Sequence, residues 1–111
     1  MIHILRGRAS KQQLAEMLDA LGLYIKLAVD TRREVAAGGG VLHADCEALL
    51  IEDGSRQEDI WGADWIPETQ EVRYEALINI RPSHGNRSMT ILDSSIRSRV
   101  GEIVRALLGG V

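Results

Sequence analysis

Apolar residues recur along this chain at two spacings, every second position or every third and fourth, and the changes from one to the other mark out its elements. Over Ile2 to Arg6, Ile2 and Ile4 share one face while His3 and Leu5 share the other, which predicts a short first strand. Ser10 and Gln13 then stand at capping-box spacing. Leu14, Met17, Leu18 and Leu21 follow at i, i+3, i+4 and i+7, the stripe of an amphipathic helix, with Gly22 as its closing residue. Alternation resumes where Leu23, Ile25, Leu27 and Val29 interleave with Tyr24, Lys26, Ala28 and Asp30, predicting a second strand. Val35 to Leu42 reads as its antiparallel return after a turn near Arg32 and Arg33. A one-turn helix capped by Thr31 and Glu34 competes with that turn. Gly38, Gly39 and Gly40 mark a bend, or a place where a ligand or another backbone comes close.

His43 to Asp53 fits both spacings. As a strand its even positions are apolar; as a helix Leu42, Cys46, Leu49 and Leu50 form one stripe. The helix is preferred because Asp45 and Glu47 fall in its first turn, where the dipole favours acids, and Gly54 suits its C-terminus. Ser55 to Asp59 is a polar connector, and Ile60 to Trp65 returns to strand alternation. A turn over Ile66 to Thr69, with Pro67 second, leads into a long strand in which Val72, Tyr74, Ala76, Ile78 and Ile80 share a face. Opposing Trp65 to Val72 also opposes Ala63 to Tyr74, Trp61 to Ala76 and Asp64 to Arg73. Pro82 to Ser88 is a turn-rich loop. Asp93 or Ser95 caps a last helix with Ile96, Val100, Ile103, Val104 and Leu107 as its buried stripe. The predicted fold is α+β in the order β-α-β-β-α-β-β-α, a mostly antiparallel sheet with helices on one face.

The 111 residues predict a single domain, 1–111, with one aliphatic core, since there is no Phe. A net charge of −3 argues against nucleic acid as a partner, because such surfaces carry a basic excess. The lone Cys46 forms no intramolecular bridge, which points to a reducing, cytoplasmic setting. No apolar run approaches the roughly 20 residues of a membrane span, and MIHILRGRAS does not read as a signal peptide.

The phrases GGGVLHADCEALL, GSRQEDIWGADW and INIRPSHGNRSM, in this order and spacing, resemble a family of small bacterial proteins known as domain of unknown function 5674. The resemblance runs from about Ile25 to Leu107. It implies a bacterial cytosolic protein and no activity. The family pattern often has Glu before Leu42, where this chain has Val41.

Two constellations could carry chemistry. His43, Asp45 and Glu47 form an H-x-D-x-E pattern that would converge on a divalent metal from a strand. A helix turns Asp45 away, leaving only His43 and Glu47 on one side, so no metal site is assigned. Asn79, Arg81, His84, Asn86 and Arg87 gather amide, imidazole and guanidinium groups suited to a small anionic ligand. No phosphate-binding loop, nucleophile elbow or dinucleotide fingerprint is present, so the cofactor is unknown. The preferred reading is a non-catalytic binding or interaction module, a homodimer, with an anion or polar-ligand site. The alternative is a small hydrolase using His43, Asp45, Glu47 and Arg81, with or without a metal.

Overall fold

A computed structural model describes residues 1–111. Five antiparallel strands form one sheet: β1 (His3–Leu5), β2 (Ile25–Asp30), β3 (Val35–Gly40), β4 (Ile60–Ile66) and β5 (Glu71–Arg73), in the order β1-β3-β2-β4-β5. The helices are α1 (Lys11–Leu18), α2 (His43–Glu52) and α3 (Ser94–Leu108). The α+β class and the order of the elements are those the periodicity predicts. The expected capping box of α1 forms, with Ser10 Oγ accepting from Gln13 N–H and Gln13 Oε1 from Ser10 N–H. Of the two candidate caps for α3, Asp93 is the one used; its carboxylate accepts from the N–H of Ser95 and Ile96, which holds its pKa below the usual range.

The helices cover both faces of the sheet, not one. Ile25, Leu27 and Val29 of β2 share a face with Trp61, Ala63 and Trp65 of β4, and this face packs against Met17 of α1 and Val100, Ile103, Val104 and Leu107 of α3. On the opposite face Ala28, Ala37 and Ile60 pack against Cys46 and Leu50 of α2. The second face is paved largely with Ala and Gly. Small side chains let a helix come close to a sheet, but they give the alternation pattern little contrast.

The β2–β3 hairpin forms without a glycine in its turn. Asp30 Oδ1 accepts from the N–H of Arg32 and Arg33, and Glu34 adopts φ 59 to close it. In β3 the register shifts between Lys26 and Leu27 of its partner, leaving Gly39 as a bulged residue at φ +105. A side chain there would run into the Met1 carbonyl and lie 2.9 Å from Met17 Cα. The glycine run therefore admits other backbone, and the passing segments are those of Met1 and α1.

One prediction fails in an informative way. Trp65 does oppose Val72, and Asp64 does oppose Arg73, but β5 ends at Arg73, so the expected pairs of Ala63 with Tyr74 and Trp61 with Ala76 do not form. Residues 74–80 leave the edge of β4 and fold over Gly62, where Ala76 and Ile78 occupy the space a side chain would fill. Two short 3-10 turns follow, Leu77–Asn79 and Pro82–His84. Consequently Leu77 and Ile80 are exposed, and Asn79 is fully buried.

Candidate functional site

Helix α2 presents His43 and Glu47 one turn apart, and each faces a different cleft. Asp45 is exposed on the helix surface. The H-x-D-x-E residues therefore do not converge, and no group of three or more His, Cys, Asp and Glu side chains is placed to hold a metal ion. The physical reason is helical geometry: residues i and i+2 project about 200° apart.

The first cleft, of about 480 Å³, lies between the N-terminus of α2 and the segment that folds over β4. Its polar base is a pair: His43 Nε2 is 2.8 Å from Asp64 Oδ1 and 3.1 Å from the Ala63 carbonyl. Lys26 and Arg73 flank Asp64, since β2 places Lys26 opposite Asp64 and β5 places Arg73 opposite it on the other side. Neither cation has an ion-pair partner in the structure. Leu42, Leu77, Ile78 and Met89 form the apolar wall, and Leu42, Leu77 and Met89 are all exposed. Leu42 is the N-cap of α2 and offers no side-chain acceptor, so the first-turn N–H groups of this helix have no side-chain cap, and only that of Asp45 is taken up, by the Leu42 carbonyl at 3.2 Å.

The second cleft, of about 650 Å³, is polar and contains Glu47, Arg56, Gln57, Arg81, Ser83 and His84. Arg81 is held on every side. Its Nε donates to the Ile78 carbonyl at 3.0 Å, Nη1 to the Gln57 carbonyl at 2.8 Å and Nη2 to Glu47 at 3.2 Å. Its guanidinium carbon lies 5.0 Å from the centroid of the Trp61 ring, a cation–π distance. Burial pushes the Glu47 carboxyl up and the Arg81 guanidinium down, and each partner's charge opposes the shift of the other. Ile78 lines both clefts, so the two openings adjoin along one face of α2.

The five-residue anion constellation expected from sequence is dispersed. Asn79 uses its amide on the main chain of Gly62, Tyr74 and Met89. Asn86 likewise donates to the carbonyls of Asn79, Ser88 and Thr90 and accepts from Leu92 N–H. These two amides organise the loop and have no group left for a ligand. Arg81 is already neutralised by Glu47. His84 reaches the second cleft, and Arg87 is exposed on the loop. Of the four candidates for hydrolysis, Glu47 and Arg81 meet, His43 stands in the neighbouring cleft, and Asp45 joins neither. Cys46 is buried, and burial raises its thiol pKa, so it is a poor nucleophile.

Sequence reasoning passed over Lys26, Asp64 and Arg73 as a group. The signal was present in part: the hairpin register already opposed Asp64 to Arg73, and Lys26 is the one basic residue in a mostly apolar strand. The missing step was the order of the strands, which sets β2 and β5 on either side of β4.

The architecture is that of a small α+β protein with an open antiparallel sheet between helices and two adjoining clefts along one helix. The chain belongs to the family described as Protein of unknown function (DUF5674), with the match covering residues 3–107. No solved structure matches the chain. No helix is long and apolar enough to cross a membrane.

Proposed function

We propose that this protein is a small-ligand binding module whose site is the cleft of Lys26, His43, Asp64 and Arg73, and that its ligand is an oxyanion carrying an apolar group. The observation that carries this reading is the pair of cations beside Asp64. Lys26 and Arg73 face a cleft with no ion-pair partner of their own, while an apolar wall stands within the same opening. Unpaired cations beside an uncapped helix N-terminus favour a negative group, and exposed Leu42, Leu77 and Met89 favour hydrocarbon beside it.

The hydrolytic reading has one supporting observation, the His43–Asp64 pair, which orients an imidazole as a general base would need. It has less support than binding, because the cleft residues include no Ser, Thr or Cys to act as a nucleophile beside that imidazole. A bacterial cytoplasmic setting and a homodimer accompany the binding reading as expectations from the sequence. The free thiol of Cys46 and the exposed apolar side chains of Leu23, Val41 and Leu92 are consistent with them.

The test is a methyl and amide NMR titration with hexanoate, using hexylammonium as the control of opposite charge. Hexanoate is expected to shift signals from Leu42, Leu77 and Met89, and hexylammonium to leave them in place. Lys26→Ala together with Arg73→Ala should abolish the response. Equal responses to the two probes would remove the anion from the reading.

A further inference from the structure

The two carboxylates of the cleft differ in what holds them. Asp64 is engaged by His43, whose Nε2 lies 2.8 Å from its Oδ1. Glu75, just beyond β5, lines the same cleft, is exposed and forms no ion pair. Arg73 and Glu75 line the cleft from alternate positions of one segment, while Tyr74 between them packs against the core face that α1 and α3 cover. Alternate residues of an extended chain stand about 7 Å apart. Arg73 and Glu75 are opposite in sign yet form no ion pair with each other. Lys26, the second cation, comes from β2 on the other side of β4. Charge of both signs, free of protein partners, thus stands beside the apolar wall.

A simple carboxylate answers only part of this arrangement, since Glu75 repels it. An alkylammonium ion answers less, because it meets Lys26 and Arg73. A molecule that carries a carboxylate, an ammonium group and a hydrocarbon chain on one carbon has a partner for all three features. We propose that the ligand is a free aliphatic α-amino acid, its carboxylate against Lys26 and Arg73, its ammonium against Glu75 and its side chain on Leu42, Leu77 and Met89. This inference rests on the cleft being the ligand site, and it makes Glu75 the group that separates amino acids from other carboxylates. Arg73, Glu75 and Leu77 supply the three kinds of contact in turn along one segment. The wall restricts the side chain. Leu42, Leu77 and Met89 offer aliphatic and thioether surface, and the cleft contains no phenyl, indole, hydroxyl or amide side chain to hold an aromatic or polar one. Arg73 and Glu75 stay within reach of water, so the ammonium adds a modest increment to binding.

L-norleucine is hexanoate with an α-ammonium group added, so the two probes isolate the feature in question. In NMR titrations of the full chain at one neutral pH, norleucine should bind at least about threefold more tightly than hexanoate. N-acetylnorleucine, which keeps the carboxylate and loses the ammonium charge, should bind no better than hexanoate. Norleucine amide, which keeps the ammonium and loses the carboxylate, should bind more weakly than norleucine. Glu75→Gln changes an exposed side chain, and the same spectra show that the fold is retained. It should bring norleucine down to the affinity of hexanoate without weakening hexanoate. Norleucine binding no tighter than hexanoate, or keeping its full advantage in Glu75→Gln, would overturn the inference while leaving the cleft as an oxyanion site. N-acetylnorleucine equal to norleucine would also overturn it, and would point to the C-terminus of a peptide as the occupant. Absence of any response by the cleft residues to millimolar norleucine and hexanoate would overturn both readings.

Discussion

The side-chain amide of Asn79 pairs with the main chain of Gly62 as a neighbouring strand would. Its Oδ1 accepts from Gly62 N–H at 2.7 Å, and its Nδ2 donates to Gly62 C=O at 3.0 Å. One fully buried side chain thus completes the outer edge of β4 at the point where β5 no longer reaches. Replacing it by Ala would strand the buried N–H and carbonyl of Gly62 and leave the Met89 carbonyl with only the Ala76 N–H, a loss of roughly 3 kcal/mol in a urea unfolding curve. Asn79→Asp gives a sharper control. Its carboxylate can accept from Gly62 N–H but faces the carbonyl oxygens of Gly62 and Met89 in a buried site, so its folded pKa should be raised. Stability should then be retained below the carboxylate range and be lost as the pH rises through it. A pH-independent deficit would show that the amide's pairing with Gly62 is not what matters.

Gly62 is the other half of that relationship. A Cβ there would lie 3.0 Å from Ile78 Cγ1 and closer still to Ala76 Cβ. Gly62→Ala should therefore push residues 74–80 off the sheet and destabilise the fold by about 2 kcal/mol. The segment displaced is the one Asn79 holds in place. The double variant with Asn79→Ala should lose less than the sum of the two, by at least about 0.5 kcal/mol, in a double-mutant cycle. Additive losses would mean that the two residues act independently.

Asp53 should contribute to acid sensitivity. Its carboxylate accepts from Arg6 at 2.6 Å and from Arg33 at 2.8 Å, tying the end of α2 to β1 and to the β2–β3 turn. The hydrogen bonds from Arg6 and Arg33 lower its pKa to about 2 from an ordinary 3.8. A carboxyl depressed in the folded state contributes stability above its unfolded pKa and loses that contribution as the pH falls through the folded value. The gap in stability between the unsubstituted protein and Asp53→Asn should be full at about pH 5 and shrink between pH 3.8 and about 2. Denaturant curves at several acid pH values measure it, and a gap that stays constant across that range would exclude this role.

What the sequence made legible follows from the kind of interaction involved. The α1 stripe, the α2 helix, the β4 turn and the α3 cap all depend on residues close in sequence, and local chemistry specifies them. The face covered by α2 was hidden, because Ala28, Ala37 and Gly62 lack the bulk that periodicity reads. Asn79 and Asn86 look like surface polar residues in a sequence, yet both are buried, because main-chain groups of residues 62 to 92 converge on their amides. The His43–Asp64 pair spans 21 residues and depends on where α2 crosses the sheet, which alternation does not encode.

The Glu47–Arg81 pair distinguishes a structural role for the second cleft from a ligand-binding one. Arg81 makes three hydrogen bonds from a fork over Trp61, and the geometry needs a planar guanidinium. Arg81→Lys can keep the charge but not the three directions, so it should lose nearly as much stability as Arg81→Ala, roughly 3 kcal/mol. The pH dependence tests the partner. Burial already raises the Glu47 carboxyl, and Arg81 is the charge that opposes this shift. Without Arg81 the folded-state pKa should rise further above its unfolded value. The contribution of Glu47 is then present below that unfolded value and is lost as the pH climbs through the folded one. The deficit of Arg81→Ala should accordingly be smallest near about pH 4 and grow toward neutrality. Adding Glu47→Gln should remove that growth. A deficit that is the same at both ends would mean that Glu47 does not depend on Arg81, and the cleft's two charges would then be free to engage a ligand.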